Sequence, residues 1–313
     1  MTLRIGHLST LYHTAILLMT RRDLIENLGI DIEWRLFGTG PAIVDAFSKG
    51  EIDLAYIGLP PAIIGIVSGT DIVCIAGGHI EGTVLTGKEG LLGFPEEQDL
   101  ALILGQLKGK RIGVPGKGSI HDVIISDCLE KFNLKKTIEI VNFEWSDQIT
   151  EAMHKDKISA AAGTPALAVA VKRYANGQIL YPPSKLWPNN PSYGILVHRN
   201  FLKTDEEILK RFLLLHEETT SYIRNKPRQA SREISDYIGF IDEEFVLETL
   251  KVSPKYCAQL TDGYISSTME FVKALKRMGY IDREITADEV FDLSLIRKIH
   301  TPGDHYGDGI SDS

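Results

Sequence analysis

The chain has 313 residues, 43% hydrophobic and 24% charged, with 28 Gly and 13 Pro, proportions of an ordinary globular protein rather than a disordered, collagenous or disulfide-stapled one. Acidic side chains number 42 against 34 basic ones, a formal charge of −8, which disfavours nucleic acid and an acidic membrane surface as partners. The length fits one large domain or two moderate ones, because single cores stop growing near ~250–300 residues.

Cys74, Cys128 and Cys257 are odd in number and far apart, with no CxxC, so they read as buried thiols and not as a zinc site or disulfide framework. No apolar run approaches the ~18 residues needed to span a bilayer. A strand signal already at residues 3–6, with no basic stretch, apolar segment and cleavage site ahead of it, leads to the expectation of a cytoplasmic protein or of a chain trimmed of its leader.

In chain order, residues 3–7 read as a strand, 14–28 as an amphipathic helix, 30–37 as a strand, and 41–49 as a helix stopped by Gly50. Next come a strand at 54–57, a helix at about 61–68 and a strand at 72–76. A second alternating series follows: strand 111–114, helix 120–132, strand 138–143, helix 147–154, strand 158–162 and helix 166–174. Such alternation predicts α/β architecture with largely parallel sheets.

The two series echo each other. Residues 43–53, IVDAFSKGEID, correspond to 149–159, ITEAMHKDKIS, and each then runs through a short strand into Gly-Leu-Pro-Pro or Gly-Thr-Pro. Taken at face value this describes two similar lobes. Beyond residue 204 the pattern turns helical, with helices over 205–224, 227–237, 242–250 and 264–278, and residues 301–313 read as a flexible, fraying tail.

Chemistry is suggested by how the helices open. Gly38-Thr39-Gly40-Pro41, Gly58-Leu59-Pro60-Pro61, Gly116-Lys117-Gly118-Ser119 and Gly163-Thr164-Pro165 each follow a strand and start a helix. Glycine lets the backbone approach a ligand closely, and proline is tolerated where the helix amide lacks a partner anyway. Helix amino ends favour anions, so several of them in one crevice would suit a carboxylate, sulfonate, phosphate or nitrate. Each turn is equally explicable as a plain cap, and Ser119 to Asp122 reads as a capping box. The Gly116–Ser119 turn lacks the spacing of a P-loop and the third glycine of a dinucleotide fingerprint.

Among nine histidines, His79-Ile80-Glu81 has zinc-deaminase spacing, but no Pro-Cys-x-x-Cys accompanies it. His13, just ahead of the first long helix, and His121, in the first turn of another, are candidates to donate to a cleft ligand; a surface or core role competes for each. His300 and His305, beside Asp304 and Asp308, could bind a metal adventitiously but are read as part of a solvated tail. Tyr12, Trp145 and Tyr193 stand nearest the predicted loops and could stack on a planar ligand.

The segments Arg4-Ile5-Gly6, Gly50 to Gly58 (GEIDLAYIG) running into Pro60-Pro61-Ala62, and Leu107 to Pro115 (LKGKRIGVP) with Gly118-Ser119, resemble the nitrate/sulfonate/taurine branch of solute-binding proteins that serve ABC importers. The superfamily also holds binding proteins for thiamine pyrimidine precursors. The resemblance covers most of residues 3–200 and implies a two-lobed, periplasmic-binding-protein-like fold of type II with two crossover segments. It places one lobe at residues 1–85 plus 193–300 and the other at 86–192. By position it assigns ligand contacts to Ser9, Thr10, Tyr12 and His13, to Thr39 and Gly40, to Gly58, Leu59 and Pro60, to Lys117, Gly118 and Ser119, and to Thr164. Gly77-Gly78-His79 and Pro191-Ser192-Tyr193 would flank the crossovers.

The resemblance implies a non-catalytic protein that captures a small, anionic organic ligand or a pyrimidine and hands it to an ABC permease, with no cofactor, metal, nucleic acid or membrane insertion. The small residues Ala160 to Thr164 predict a pocket that admits something bulkier than nitrate. The alternatives are a cytoplasmic enzyme on the same fold, of thiamine-pyrimidine or menaquinone-pathway type, with His13 or His121 as base, and a cytoplasmic ligand sensor. The cysteine-rich motif of the pyrimidine synthase is absent.

Overall fold

The computed structural model describes residues 2–21, 28–300 and 303–310. Two five-stranded sheets form its frame. Strands β1 (Thr2–Leu8), β2 (Asp31–Phe37), β3 (Leu54–Ile57), β4 (Ile72–Ile80) and β10 (Pro191–His198) build the first, in the order β2-β1-β3-β10-β4. Strands β5 (Val84–Lys88), β6 (Arg111–Pro115), β7 (Glu139–Phe143), β8 (Ala160–Gly163) and β9 (Gly177–Tyr181) build the second, in the order β7-β6-β8-β5-β9.

The sheets share one plan. Each has a parallel trio, β2-β1-β3 or β7-β6-β8, followed by a strand running antiparallel to it, β10 or β5. In both sheets that antiparallel strand has just arrived from the other sheet. The α/β reading therefore stands, but the expected largely parallel sheets are mixed. Central strands β3 and β8 are buried along their whole length, as strands covered by helices on both faces must be, while the edge strands β2 and β7 alternate with solvent.

Residues 81–83 and 182–190 carry the chain between sheets. The expected boundaries after residues 85 and 192 fall inside strands: Val84 and Leu85 pair with Gly163 and Ala162 of the second sheet, and Pro191 pairs with Ile80 of the first. Glu81 ties the two crossings together. Its backbone N–H donates to Asn190 O (2.8 Å), its carboxylate accepts from Asn189 N (2.9 Å), and Lys255 Nζ lies 2.7 Å from its other oxygen. Glu81 and Asn189 both hold left-handed backbone, at φ 60° and 55°.

Helices α1 (Thr14–Thr20), α2 (Gly40–Ser48), α3 (Leu59–Val67), α4 (Leu100–Gly105), α5 (Ile120–Lys131), α6 (Ser146–His154) and α7 (Pro165–Tyr174) alternate with the strands. The part of the first predicted helix over 22–27 lies outside the described residues. The short α8 (Pro183–Leu186) and α9 (Arg199–Thr204) precede the helical third, α10 (Glu206–Asn225), α11 (Pro227–Ile238), α12 (Glu243–Val252) and α13 (Asp262–Arg277). Here α10 and α11 pack on α1, α12 packs across the lobes on α7, and α13 packs on α3 and α5. Among the described residues no helix is long and apolar enough to cross a membrane.

The fraying expected at the end is not what residues 303–310 show. Tyr306 is buried and donates to Gln259 O at 2.9 Å, close enough to Gly77 that no side chain would fit there.

Candidate functional site: a cleft between the lobes

All six strands of the two parallel trios end on one cavity. Leu8 closes β1 and Ser9 follows it, Gly38 to Gly40 follow β2, Gly58 follows β3, Pro115 closes β6, Ser146 lies beyond β7 and Thr164 follows β8, and all of them line it. This is the crevice at strand carboxyl ends where open α/β sheets bind ligands. The free space is about 40 Å³, room for a few water molecules. A wider groove of about 710 Å³ lies elsewhere between Asp127, Trp187 and Arg277, away from these strand ends, with Arg277 paired to Asp127 and Lys273 to Glu270.

The first-lobe wall is made by the turn between β1 and α1. His13 caps α1 by position but makes no side-chain cap bond, and it is 1% exposed with both ring nitrogens lacking a hydrogen-bond partner among the described residues. The Thr10 hydroxyl is buried and unpartnered too. Burial, with smaller like-charge contributions from His79, His7 and His121, holds the His13 imidazole well below its usual pKa, so the ring is neutral. Tyr12 meets it edge-on at 4.7 Å between centroids, and Tyr193 backs it at 4.0 Å.

That wall rests on a fully satisfied chain of hydrogen bonds. Tyr193 OH donates to Thr14 Oγ1 (3.4 Å), the Thr14 hydroxyl donates to His216 Nδ1 (3.0 Å), and His216 Nε2 donates to Gly77 O (2.8 Å). The carbonyl acceptor at one end fixes every donor direction along it. Among the described residues the Tyr56 and Tyr256 hydroxyls behind this layer are also unpartnered, but the Thr10 hydroxyl and the His13 ring are the orphaned groups that line the cavity, where a ligand would meet them.

The second-lobe wall is closed on itself. Ser119 Oγ accepts from Asp122 N (3.3 Å), while the Asp122 carboxylate accepts from Gly118 N (2.8 Å), Asn142 Nδ2 (3.2 Å) and Tyr280 OH (2.7 Å). Thr39 and Thr164 cap their own helices by accepting from Ala42 N and Leu167 N. His121 pairs through Nδ1 with the Thr83 hydroxyl (3.0 Å), and burial pushes its pKa down to about 3.

The structure brings Ser9, Thr10, Tyr12, His13, Thr39, Gly40, Gly58, Ser119, His121 and Thr164 to this cavity. Others of the expected residues lie outside its lining. Leu59 and Pro60 turn into the core. Lys117 is exposed, and Gly118 at φ 81° sits near Ile64 and Pro41. Tyr193 stands one layer behind His13. His79 belongs to the crossover: its Nε2 donates to Ser253 O (2.5 Å) and its Nδ1 accepts from Ser192 Oγ (3.0 Å), which itself accepts from Gly82 N (2.5 Å). Trp145 packs beside Gly38 as a contact between lobes, its ring atoms 3.3 Å from where a Cβ on Gly38 would sit. Sequence reasoning missed Leu8, Gly38, Pro61, Pro115, Ile120, Ser146 and Ser192 as lining.

Several of the glycines serve closure. A Cβ on Gly116 would come within 2.7 Å of Thr39 Cγ2, and one on Gly58 within 3.2 Å of Ser192 O and 3.4 Å of Ile120. Every residue of the lining is neutral or a neutral histidine, with no Lys, Arg, Asp or Glu among the described ones. Pro41, Pro60, Pro61 and Pro165 also remove amide donors from three of the helix starts, so the helix ends present dipoles more than free N–H groups.

The description of the NMT1-like family matches residues 1–239 of this chain. The chain belongs to the NMT1-like family. Two relatives, from Brucella abortus (strain 2308) and Brucella suis biovar 1, carry the provisional name of binding protein; each is 27% identical over 232 residues, 72% of this chain and 68% of the relative. Among solved structures, the fold is similar to the alkanesulfonate-binding protein SsuA of Xanthomonas axonopodis pv. citri bound to MOPS (TM-score 0.79, 18% identity, 93% of this chain and 98% of that one). It is similar also to the periplasmic nitrate-binding protein NrtA of Synechocystis PCC 6803 (TM-score 0.77, 13% identity, 100% and 91%). A third is the ligand-binding component of an ABC-type import system from Staphylococcus aureus (TM-score 0.75, 16% identity, 96% and 99%). This member of the NMT1-like family thus has the two-lobed fold of periplasmic binding proteins.

Proposed function

We propose that this protein is the solute-binding component of an ABC importer, acting outside the cytoplasmic membrane, and that its lobes part to admit a small organic solute and close on it. The observation that carries this reading is the pair of orphaned groups, the His13 imidazole and the Thr10 hydroxyl, buried in a cleft at which six strands end. Leaving such groups unpaired costs about 1–3 kcal/mol each, a cost that a ligand with matching donors and acceptors removes. With free space of about 40 Å³ in the closed form, entry of any organic molecule requires the hinge at 81–83 and 182–190 to open.

The lining favours a largely neutral, planar, hydrogen-bonding solute, with its ring against Tyr12 and His13 and its polar edge toward Thr10 and Ser119. A sulfonate, carboxylate or nitrate is the second reading, favoured by the helix dipoles that open onto the cleft at Thr39, Gly58, Ser119 and Thr164.

A thermal-shift panel of pyrimidines, sulfonates, carboxylates and nitrate tests both. A true ligand at one hundred times its dissociation constant adds about 2.7 kcal/mol, a midpoint rise of several degrees. A rise with pyrimidines and none with the anions supports the first reading, the reverse supports the second, and no rise with any compound overturns the assignment.

A further inference from the structure

A second cluster of chemically capable side chains lies away from the cleft, where the end of the chain returns to α10. Glu217 on α10, His300 and His305 each offer a ligand atom, and these atoms all lie within 4.8 Å of one another. His300 Nε2 is 3.6 Å from Glu217 Oε1 and 3.2 Å from Cys257 Sγ. Tetrahedral coordination at the usual Zn–N, Zn–O and Zn–S lengths sets neighbouring ligand atoms roughly 3.3–3.8 Å apart, which the 3.6 Å separation of His300 and Glu217 matches.

Three further features match a metal site. Glu217 Oε2 is shut off from solvent and has no hydrogen-bond partner among the described residues, although ordinary packing would leave a carboxylate oxygen paired or hydrated. Cys257 Sγ accepts from the backbone N–H groups of Gln259 and His305, both at 3.4 Å, contacts that fix the position of the sulfur beside His300. Asp308 Oδ2 lies 2.7 Å from His305 Nδ1, the carboxylate support that orients ligating histidines.

We propose that Glu217, His300 and His305 bind one divalent transition metal ion and draw in Cys257 Sγ, 3.2 Å from His300 Nε2, as a fourth ligand, with zinc the best match to this nitrogen, sulfur and oxygen donor set. Coordination releases the Cys257 thiol proton to solvent, and the Glu217 carboxylate and one ring nitrogen each of His300 and His305 complete the shell. The ion ties His300 and His305 to Glu217 of α10 and to Cys257. His216, one residue before Glu217, holds Gly77 of β4, so the tie reaches the layer beneath the cleft wall without touching the cleft. His305, partly exposed at its side chain, gives the ion its way in.

The full chain, stripped with a chelator, is given zinc chloride, freed of excess by gel filtration and subjected to elemental analysis. Wild type is expected to retain about one zinc per chain and to gain about 5 °C in unfolding midpoint. The partly exposed variant His305→Gln, which leaves the core untouched, is expected to retain less than about 0.2 and to gain nothing; Glu217→Gln is expected to bind about ten-fold more weakly. Cobalt in place of zinc is expected to show a thiolate charge-transfer band, lost in Cys257→Ser. The proposal is overturned if wild type retains no zinc, if His305→Gln retains as much as wild type, or if retention is lost in His13→Ala instead, which would place the metal in the cleft.

Discussion

The first turn of each parallel trio occupies the same place in its lobe, yet the two are built oppositely. The turn from β1 into α1 leaves Thr10 and His13 unpaired and its helix uncapped. The turn from β6 into α5 pairs everything: Ser119 caps Asp122, and Asp122 gathers an amide, a side-chain amide and a phenol. Unpaired buried polar atoms weaken a free protein, so a turn that keeps them is shaped by what it binds; the paired turn is shaped by stability and, through Tyr280, by closure of the lobes. Under the proposed function, the contrast gives recognition to the first lobe and latching to the second.

The largest expected effect comes from acid. Burial pushes His79, His121 and His216 down to about 3, 3 and 4, all below the ~6.5 of an unfolded chain. The unfolded state therefore binds more protons in this range. The stability these neutral rings carry is complete above pH ~6.5 and falls as pH drops toward 4, by up to about 1.4 kcal/mol per unit for each ring. Two of the three rings sit in the first lobe, so circular dichroism against pH is expected to show unfolding between about pH 4 and 5.5, with Trp34 reporting it before Trp145. A chain still folded at pH 4 breaks that account.

Next in size is Asp122→Ala, which strands three donors at once. A loss of about 3 kcal/mol in chemical denaturation is expected, and a loss below about 1 kcal/mol would show that water replaces the carboxylate cheaply. His13→Ala should do the reverse, leaving the unfolding midpoint within a degree or two while weakening the best compound of the panel by about 10- to 100-fold in calorimetry. If His13→Ala destabilises as Asp122→Ala does, the division of labour between the turns is wrong.

How much of this was legible in the sequence follows the same physics. The parallel trios and their helices were, because apolar periodicity and the Gly, Pro, Ser and Thr of their turns are local signals. The strands of the antiparallel pairings, β5, β9 and β10, were not: Val84 to Lys88 carries no clear alternation, and β5 and β10 each pair with a sheet that they enter from the other lobe. At the site, the loop residues after strands were readable, since every parallel strand must end somewhere in the crevice. Direction was not. His79 and Tyr193 are the right residue types near the right loops, but Ser253 O and Thr14 claim their polar atoms. Ser192 reaches the cleft on β10, one of the strands that periodicity failed to mark.

Smaller effects concern closure alone. Gly116→Val would push the β6 turn against Thr39 of the opposite lobe, so small-angle scattering should report a more open molecule and affinity should fall about ten-fold with stability unchanged. The smallest is at Arg173 on α7, which reaches Asp242 (2.8 Å) and Glu248 (2.9 Å) beside and on α12. These pairs join the lobes far from any ligand contact, so Arg173→Ala acts only on the balance between open and closed forms. Since such surface pairs are weak, apparent affinity should fall no more than about two- to five-fold. Salt screens exposed pairs, so the difference from wild type should shrink as ionic strength rises. A deficit that persists in high salt would mean that Arg173 works through its packing on Phe245, where its guanidinium lies 5.2 Å from the ring centre, and that the latch between lobes is apolar rather than ionic.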